Sequence, residues 1–380
     1  MRVAILESIV MPAGHEVEFD RILINELNRQ GHEPVLFVPE NFPFKVDYGV
    51  DIVYIGGGEV VTYAGASKWK KLFLSILRER RRRSWFTSAA QKIKEHKIDA
   101  LIIPTGTYRY IKALLDTPLK DSEASVHVIF HGIGKGEMDR FIKQAHRANA
   151  YKNLYLDVIS LRDDMLRSDL PRVRKILPPV FLPSTELSEE QGNDTISANN
   201  TIKLGFFGQF RKEKNIERFI DAFVSLNYDN SVQLVVQGAT VKPEDGELFE
   251  SIIKKYSKYS NIKFIHASLI GKDWDAALMS VDALLLPYGA ERYRYHWAAM
   301  LFTAIGFYKP VLISPEINPE VLEQYSIGEV LNLDNVNSIG QGIQRFVENL
   351  QYNKEQYNQG LMNANEDYSH RALIQSIINV

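Results

Sequence analysis

The sequence predicts an α/β protein made of two Rossmann-like, doubly wound domains that face each other across a cleft. Short apolar runs alternate with amphipathic helical segments along both halves of the chain, which is the pattern of successive βαβ units. A proline-rich, polar stretch separates the two halves, and 380 residues are enough for two domains of ordinary size. A cleft between two sheet edges is a natural site for two substrates.

The composition excludes several classes of protein. With 45% hydrophobic and 24% charged residues the chain is globular, and a formal net charge of -2 provides no basic field for nucleic acid. The absence of cysteine excludes disulfides, thiolate metal sites and a cysteine nucleophile. The N-terminus does not resemble a signal peptide, and no apolar run approaches the roughly 20 residues of a membrane span. We therefore expect a cytoplasmic protein, soluble or peripheral on the inner face of the membrane.

The first domain is expected to span residues 1–175. Its apolar runs predict strands at residues 3–6, 34–38, 51–55, 100–103, 126–130 and 154–159, the last of these ending the first half. The fifth strand leads to His131, at the edge of an open α/β sheet where ligands bind. A histidine there could act on a substrate hydroxyl or donate to a developing charge, although a lone histidine is more often structural.

Residues 68–86 have the most unusual local composition. An apolar stripe at helical spacing, Leu72, Phe73, Ile76 and Leu77, lies within a strongly basic stretch with tryptophan at both ends. A basic amphipathic helix of this kind is a candidate for resting on anionic lipid headgroups. The contact would use Trp69, Lys70, Lys71, Arg80, Arg81, Arg82 and Arg83. The alternative is a helix packed on the sheet with its arginines in solvent.

Residues 176–200 are the predicted linker, because the paired prolines Pro178-Pro179 precede a long polar run. After the linker, residues 201–350 form the second domain, and residues 351–380 form a helical tail that we expect to pack back on the first domain. Strands are predicted at residues 202–207, 233–236, 262–265, 283–286 and 311–313, and helices at residues 247–256, 274–279 and 296–305.

The stretch KLGFFGQFRKEKNIERF, residues 203–219, is the first candidate binding site. A strand that ends at Gly208 and feeds a helix places free backbone N–H groups where an anion can bind. Arg211, Lys212 and Lys214 supply positive charge at the same point. We interpret this stretch as a diphosphate clamp, with an ordinary strand-to-helix loop and a solvated basic face as the alternative.

The stretch DALLLPYGAERYRYHWAAMLFTAIGFYKPVLIS, residues 282–314, is the second candidate. An apolar strand ends at Pro287, an irregular polar loop follows, and a helix is predicted to begin near His296. The small residues Ala298 and Ala299 leave room for a ligand to approach the N–H groups of the first turn. Two helix N-termini could then face one pyrophosphate.

These two stretches resemble the nucleotide-sugar domain of GT-B glycosyltransferases, and more narrowly the retaining sucrose-synthase-like and mannosyltransferase-like family of group 1. The segments FFGQFRKEKN, HASLIG and KPVLIS carry the resemblance, together with GHE, NRQGHEPVLFVP and FHG in the first half. The resemblance implies transfer of a sugar from a UDP- or GDP-linked donor to a glycan, lipid-linked or protein acceptor, as in polysaccharide biosynthesis. It also implies that no further cofactor takes part and that the first domain binds the acceptor.

The resemblance assigns roles to single residues. Lys214 matches the phosphate-binding lysine of the family, and Gly208 matches the glycine of the phosphate turn. His131 matches the histidine near the reacting carbon, and Gly14 and His15 fall in the acceptor loop. The helix start at His296, Ala298 and Ala299 would contact the donor.

The sequence departs from the family at three positions. Gln209 replaces the arginine beside the phosphate-turn glycine, although Arg211 could reach the same diphosphate. The two family glutamates spaced eight apart fall on Tyr295 and Thr303, and Glu291 lies nearby as a replacement for one of them. These losses favour an alternative function, a catalytically degenerate partner or glycan-binding subunit. A nucleotide-sugar epimerase is a third alternative.

The chemistry of transfer is left open in two respects. Asp273 and Asp275 form an Asp-x-Asp pair at a predicted helix start, where we expect helix capping and not metal binding. The resemblance implies retention, in which the donor phosphate helps to deprotonate the acceptor. Inversion would require a base on the acceptor side, for which His15, Glu16 and Glu18 are candidates.

Overall fold

The computed structural model describes residues 1–9, 16–44, 46–61, 67–164, 166–184 and 201–379. The chain divides into two compact units, Met1–Pro178 together with His370–Val380, and Pro179–Ser369. Each unit is built on one parallel sheet flanked by helices. The acceptor candidates Gly14 and His15 and most of the predicted linker lie outside the described residues.

The first unit contains seven parallel strands in the order β3-β2-β1-β4-β5-β6-β7. They are β1 Arg2–Leu6, β2 Glu33–Pro39, β3 Asp51–Ile55, β4 Ala100–Ile103, β5 Ser125–Phe130, β6 Leu154–Ile159 and β7 Val173–Ile176. In the centre, Val3 of β1 is in register with Pro34 of β2 and with Ala100 of β4. Because helices cover both faces, β1 and β4 are buried almost throughout and their sequences are continuous apolar runs.

The second unit contains six parallel strands in the order β10-β9-β8-β11-β12-β13. They are β8 Ile202–Phe206, β9 Val232–Gln237, β10 Ile262–Ile265, β11 Ala283–Leu286, β12 Val311–Ile313 and β13 Gly328–Val330. Strands β8 and β11 are neighbours, but the strands that follow them in sequence lie on opposite sides. Their carboxyl ends therefore flank a topological switch point, where open α/β sheets bind ligands.

Twelve α-helices are seen in the described residues. They are α1 Glu16–Arg29, α2 Lys68–Glu95, α3 Tyr108–Leu115, α4 Met138–Ala148, α5 Ile216–Ser225, α6 Pro243–Tyr256, α7 Gly271–Met279, α8 Ala299–Gly306, α9 Glu320–Gln324, α10 Val336–Tyr352, α11 Lys354–Asp367 and α12 His370–Ile378. The last helix belongs to the first unit, where it packs on α1 and β7, and the Arg174 guanidinium donates a hydrogen bond to the Ile377 carbonyl oxygen at 3.3 Å.

Most predicted strands match the structure closely, but two edge strands were missed and one helix start was wrong. The strand at 154–159 is followed by β7, and β12 is followed by β13. These edge strands have four and three residues, and neither is a continuous apolar run. The helix predicted from His296 begins at Ala299, because Glu291–Tyr295 form a 3-10 turn and the backbone of His296 is extended.

No helix in the described part of the chain is long and apolar enough to cross a membrane.

Candidate functional site

The turn after β8 is held by a buried glutamine from the neighbouring strand. Gly208 has a φ of 109°, in the left-handed region that favours glycine. Its N–H donates a hydrogen bond of 2.7 Å to Oε1 of Gln237, the last residue of β9. The Gln237 Nε2 group donates in turn to the Ala267 carbonyl oxygen at 2.5 Å, in the loop after β10. Because Gln237 occupies the N–H, Gly208 provides space for a ligand and not the free donor that we predicted.

The Lys214 side chain lies buried beside this turn. It ends the 3-10 turn Lys212–Lys214 and is only 8% exposed. Its Nζ lies 4.5 Å from the ring centroid of Tyr288 and 5.7 Å from that of Phe206, and a Cβ added at Gly208 would lie 3.7 Å from it. Among the described residues, no carboxylate forms a salt bridge with Nζ.

The surroundings of Lys214 disfavour its charged form. Burial lowers the pKa of its ammonium to about 7, and the positive charges of Arg211 and Arg292 act in the same direction. The Tyr288 hydroxyl is also buried, and the described residues offer it no hydrogen-bond partner. Burial raises the pKa of Tyr288, so the hydroxyl stays neutral. An anion bound beside Lys214 would favour the charged form of this group.

Gln209 orients the neighbouring arginine. The Arg211 Nη2 group donates a 2.8 Å hydrogen bond to Gln209 Oε1, and its Nη1 lies 3.9 Å from Oε1 of Glu213. Arg292 also pairs with Glu213. The glutamine therefore supplies no charge of its own, but it holds the Arg211 guanidinium beside the Gly208 turn.

The first turn of α8 lies against the Gly208 turn. The Met300 sulfur would be 4.0 Å from a Cβ at Gly208. The N–H of Ala298, the residue before the helix, donates to the Asn318 side chain at 2.9 Å. The structure thus brings Gly208, Lys214 and the start of α8 together, but two of the expected backbone donors, the N–H groups of Gly208 and Ala298, are already satisfied.

The positions of the two family glutamates have different surroundings. Thr303 is buried, and its hydroxyl donates to the Ala299 carbonyl oxygen at 3.0 Å within α8. Tyr295 ends the exposed 3-10 turn that Glu291 begins. His296 follows that turn in extended conformation. The guanidinium of Arg294 pairs with Glu316, so this arginine of the loop already has a carboxylate partner.

In the first unit, His131 lies at the carboxyl end of β5, as predicted. Its Nε2 donates a 2.8 Å hydrogen bond to the Pro104 carbonyl oxygen, and its ring meets the Phe19 ring edge-on at 4.7 Å. Gly132, the next residue, has a φ of 126°. These contacts fix the orientation of the imidazole at the sheet edge.

Comparison with known proteins decides the family. Residues 188–361 match the family profile described as Glycosyl transferases group 1. These residues form a group 1 glycosyltransferase domain. No curated protein sequence matches the chain.

Solved structures with the same fold include several glycosyltransferases, whose structures superpose on this chain although the sequence identity is low. A glycosyltransferase from Rickettsia africae ESF-5 superposes with a TM-score of 0.69 at 11% identity, covering 100% of this chain and 97% of that one. Sucrose-phosphate synthase from Thermosynechococcus elongatus gives 0.66 at 13% identity, covering 98% and 96%. Anabaena HepE, solved with UDP and glucose, gives 0.61 at 13% identity, covering 100% and 97%. The chain has the GT-B fold, so the predicted fold class is confirmed. The profile match over residues 188–361 confirms the predicted family and enzyme class for that part of the chain.

The Asp-x-Asp pair of this glycosyltransferase lies in α7. The Asp275 carboxylate is buried and accepts a hydrogen bond of 2.9 Å from the Ser184 N–H, and Asp273 lies in the first turn of the helix. Within the described ranges, no group of three or more histidine or carboxylate side chains is placed to hold a metal ion. Asp275 therefore has a structural partner of its own.

The arginine run of α2 is mostly engaged within the first unit. Arg81 donates to the Gly57 carbonyl oxygen at 3.0 Å, and Arg83 pairs with Asp116 at 3.0 Å. Arg82 is buried, pairs with Glu79 at 2.8 Å and lies over the Tyr110 ring at 4.4 Å. The expectation that Arg82 contacts lipid is therefore wrong, because its charge is enclosed by the fold.

A cavity of about 590 Å³ lies beside the Lys214 turn in the second unit. Its lining includes Asn215 and Gly289 near that turn, with Arg218, Arg294 and Glu316 further out. The Gly289 N–H donates to the Glu213 carbonyl oxygen at 3.0 Å, which joins the cavity wall to the Lys214 turn. The volume is in the range of small-molecule sites.

Sequence reasoning did not single out Gln237, although a polar residue at the end of an apolar strand was a visible signal.

We expect Gln237→Met to destabilise the second unit by about 1–3 kcal/mol, because it leaves the Gly208 N–H and the Ala267 carbonyl without partners. Urea unfolding measures the change. Gln233→Met on the same strand is the matched control and should change stability by no more than about 0.5 kcal/mol. Equal effects of the two substitutions would contradict the bridging role of Gln237.

Proposed function

We propose that this glycosyltransferase uses a UDP- or GDP-linked sugar and that its second unit holds the donor diphosphate between Gly208, Lys214 and the start of α8. The observation that carries the proposal is the buried Lys214 ammonium, which faces aromatic rings and has no carboxylate partner among the described residues. A bound diphosphate would complete this site by supplying the missing negative charge. Anabaena HepE, which shares the fold, was solved with UDP and glucose, which supports a nucleotide-sugar donor.

The proposed chemistry follows from the charge that develops on the leaving group. As the bond between the sugar and the diphosphate breaks, negative charge grows on the phosphate oxygens. Lys214 and Arg211 would stabilise that charge, and Gly208 would admit the phosphate because it has no side chain. Since these side chains supply the positive charge, we propose a reaction without a metal ion.

We propose transfer with retention to a glycan, lipid-linked or protein acceptor. In this mechanism the bond between the sugar carbon and the diphosphate breaks, and the acceptor oxygen bonds to that carbon on the same face. A donor phosphate oxygen accepts the proton that the acceptor hydroxyl loses. His131, fixed through the Pro104 carbonyl, is proposed to contact the reacting sugar. Tyr295, His296 and Glu291 are proposed to contact the donor from the loop before α8.

A second candidate function is a catalytically degenerate subunit that binds a partner or a glycan. The observation that favours it is Thr303, whose hydroxyl is bonded within α8 where the family has a glutamate. Tyr295 likewise has a phenol where the resemblance implies a glutamate. This candidate would be favoured over the enzyme if the protein binds a nucleotide-sugar but neither hydrolyses it nor transfers its sugar to any member of an acceptor panel.

Replacing the lysine tests the donor site. We expect Lys214→Met to abolish the thermal stabilisation by UDP, GDP or their sugar conjugates, which for the native protein should reach about 2.7 kcal/mol at about 100 times Kd. Without ligand, the variant should melt higher than the native protein at pH 7, because a buried cation has been removed. A thermal-shift screen measures both effects.

The control for this screen is Lys254→Met, an exposed lysine in the last turn of α6, which should keep the ligand response. The proposed donor site is contradicted if the ligand stabilises Lys214→Met as much as it stabilises the native protein. It is equally contradicted if no nucleotide or nucleotide-sugar stabilises the folded native protein.

The pKa of Lys214 predicts how donor affinity depends on pH. The free protein holds this group with a pKa of about 7, and a bound diphosphate raises it. Below pH 7 the ammonium is already present, so affinity is constant. Above pH 7 binding must take up a proton, and Kd should rise up to about tenfold per pH unit until the pKa of the complex is reached.

Isothermal titration of a UDP- or GDP-sugar between pH 6 and 9, in buffers of different ionisation enthalpy, measures both the affinity and the proton uptake. The sugar conjugate is the right probe because its phosphates do not titrate in this range. A Kd independent of pH, with no proton uptake, would show that diphosphate binding does not change the protonation of Lys214, which contradicts this prediction.

A further inference from the structure

The first turns of α2 expose an apolar stripe. Trp69 is 85% exposed, Leu72 60%, Phe73 67% and Ile76 58%. Their spacing, at positions i, i+3, i+4 and i+7, puts all four on one face of the helix. Four large apolar side chains on one solvent-facing stripe form a contiguous patch, which indicates an interaction surface.

This stripe faces away from the core of the first unit. The buried part of α2 begins at Arg82 and continues through Trp85, Phe86 and Ala89. At about 100° per residue, Trp85 and Ala89 lie roughly 160–200° around the helix from Trp69. The helix therefore packs on the sheet with one face and presents the opposite face, at its N-terminal end, to solvent.

The charges near the stripe are mostly positive. The one acidic residue between Lys68 and Arg83 is Glu79, which pairs with the buried Arg82. Lys70 is exposed about 100° around the helix from Trp69, at the edge of the stripe. Arg80 is exposed on the same face as the stripe, one turn further along. These two cations flank the apolar side chains.

We propose that this end of α2 docks on the surface of an anionic lipid bilayer, with the apolar stripe below the headgroups and Lys70 and Arg80 on the lipid phosphates. Helices that lie in membrane interfaces combine tryptophan, phenylalanine and leucine with lysine and arginine in this way. Protein interfaces, by contrast, are depleted of lysine. This charge complementarity selects a lipid surface over a second protein.

Docking itself is independent of the donor chemistry. Its consequence for catalysis, which rests on the proposed function, is that the acceptor is carried by the membrane. Vesicle binding is measured without donor or acceptor, so a failure of docking is distinguishable from a failure of the proposed function.

Sedimentation with vesicles of phosphatidylcholine, with or without about 30% phosphatidylglycerol, tests docking. The native protein should bind the anionic vesicles and bind the neutral ones much less. The combined variant Trp69→Gln, Phe73→Gln and Ile76→Gln should lose at least about tenfold in partition coefficient, because it removes the apolar insertion. Removing the cations with Lys70→Gln and Arg80→Gln should cost about fivefold each.

The control variant combines Ile270→Gln, Tyr352→Gln and Met362→Gln, which are 78%, 81% and 56% exposed in the second unit. It removes three equally exposed apolar side chains and should leave vesicle binding unchanged. In a second readout, brominated lipid should quench the fluorescence of the native protein, and Trp69→Phe should remove most of that quenching.

Three results would overturn the proposal. The first is that the native protein does not bind anionic vesicles, and the second is that the stripe variant binds them as well as the native protein does. The third is that the native protein self-associates in sedimentation velocity and that the stripe variant does not, although the variant still binds vesicles. That result would assign the stripe to contact with a second copy of the chain.

Discussion

The candidate donor site depends on one electrostatic constraint, the burial of the Lys214 ammonium with no carboxylate partner among the described residues. Strand β8 delivers the Gly208 turn, and β11 delivers Tyr288, whose ring lies under the ammonium. These strands are neighbours only because the sheet reverses its order between them. The topology thus creates a place where a cation is enclosed by aromatic rings and by a residue without a side chain. Burying a charge in this way lowers stability, and such a cost is typical of a site organised for a charged ligand.

The fold was largely predictable, because it is set by local physical rules. Central strands such as β1 and β4 are covered on both faces, so burial forces them to be continuous apolar runs that can be read from the sequence. The edge strands β7 and β13 escape this rule, because solvent reaches one side and polar residues are tolerated. The start of α8 was missed for a different reason. Its position depends on Asn318, some twenty residues away, and a contact of that kind has no local signal.

The candidate site was predictable to the extent that it lies in one stretch of chain. Gly208, Arg211 and Lys214 follow one strand, and the sequence alone placed them together. The residues that hold them come from other strands: Gln237 from the end of β9 and Tyr288 from the end of β11. Their roles depend on which strands are neighbours, which the sequence does not state. Because the Gly208 N–H donates to Gln237, it is not free to bind a phosphate as we predicted. The turn provides space for a phosphate, and the cation comes from the Lys214 side chain.

The central claim is that Lys214 is held ready for an anion, and its titration tests that claim most directly. The ¹³Cε resonance of Lys214, assigned with the Lys214→Met variant, can be followed by NMR against pH with and without a UDP- or GDP-sugar. The structure predicts a pKa of about 7 in the free protein and a rise of at least about one unit when the donor is bound. A pKa near the ordinary 10.5 in the free protein, or a low pKa that the donor leaves unchanged, would contradict the claim.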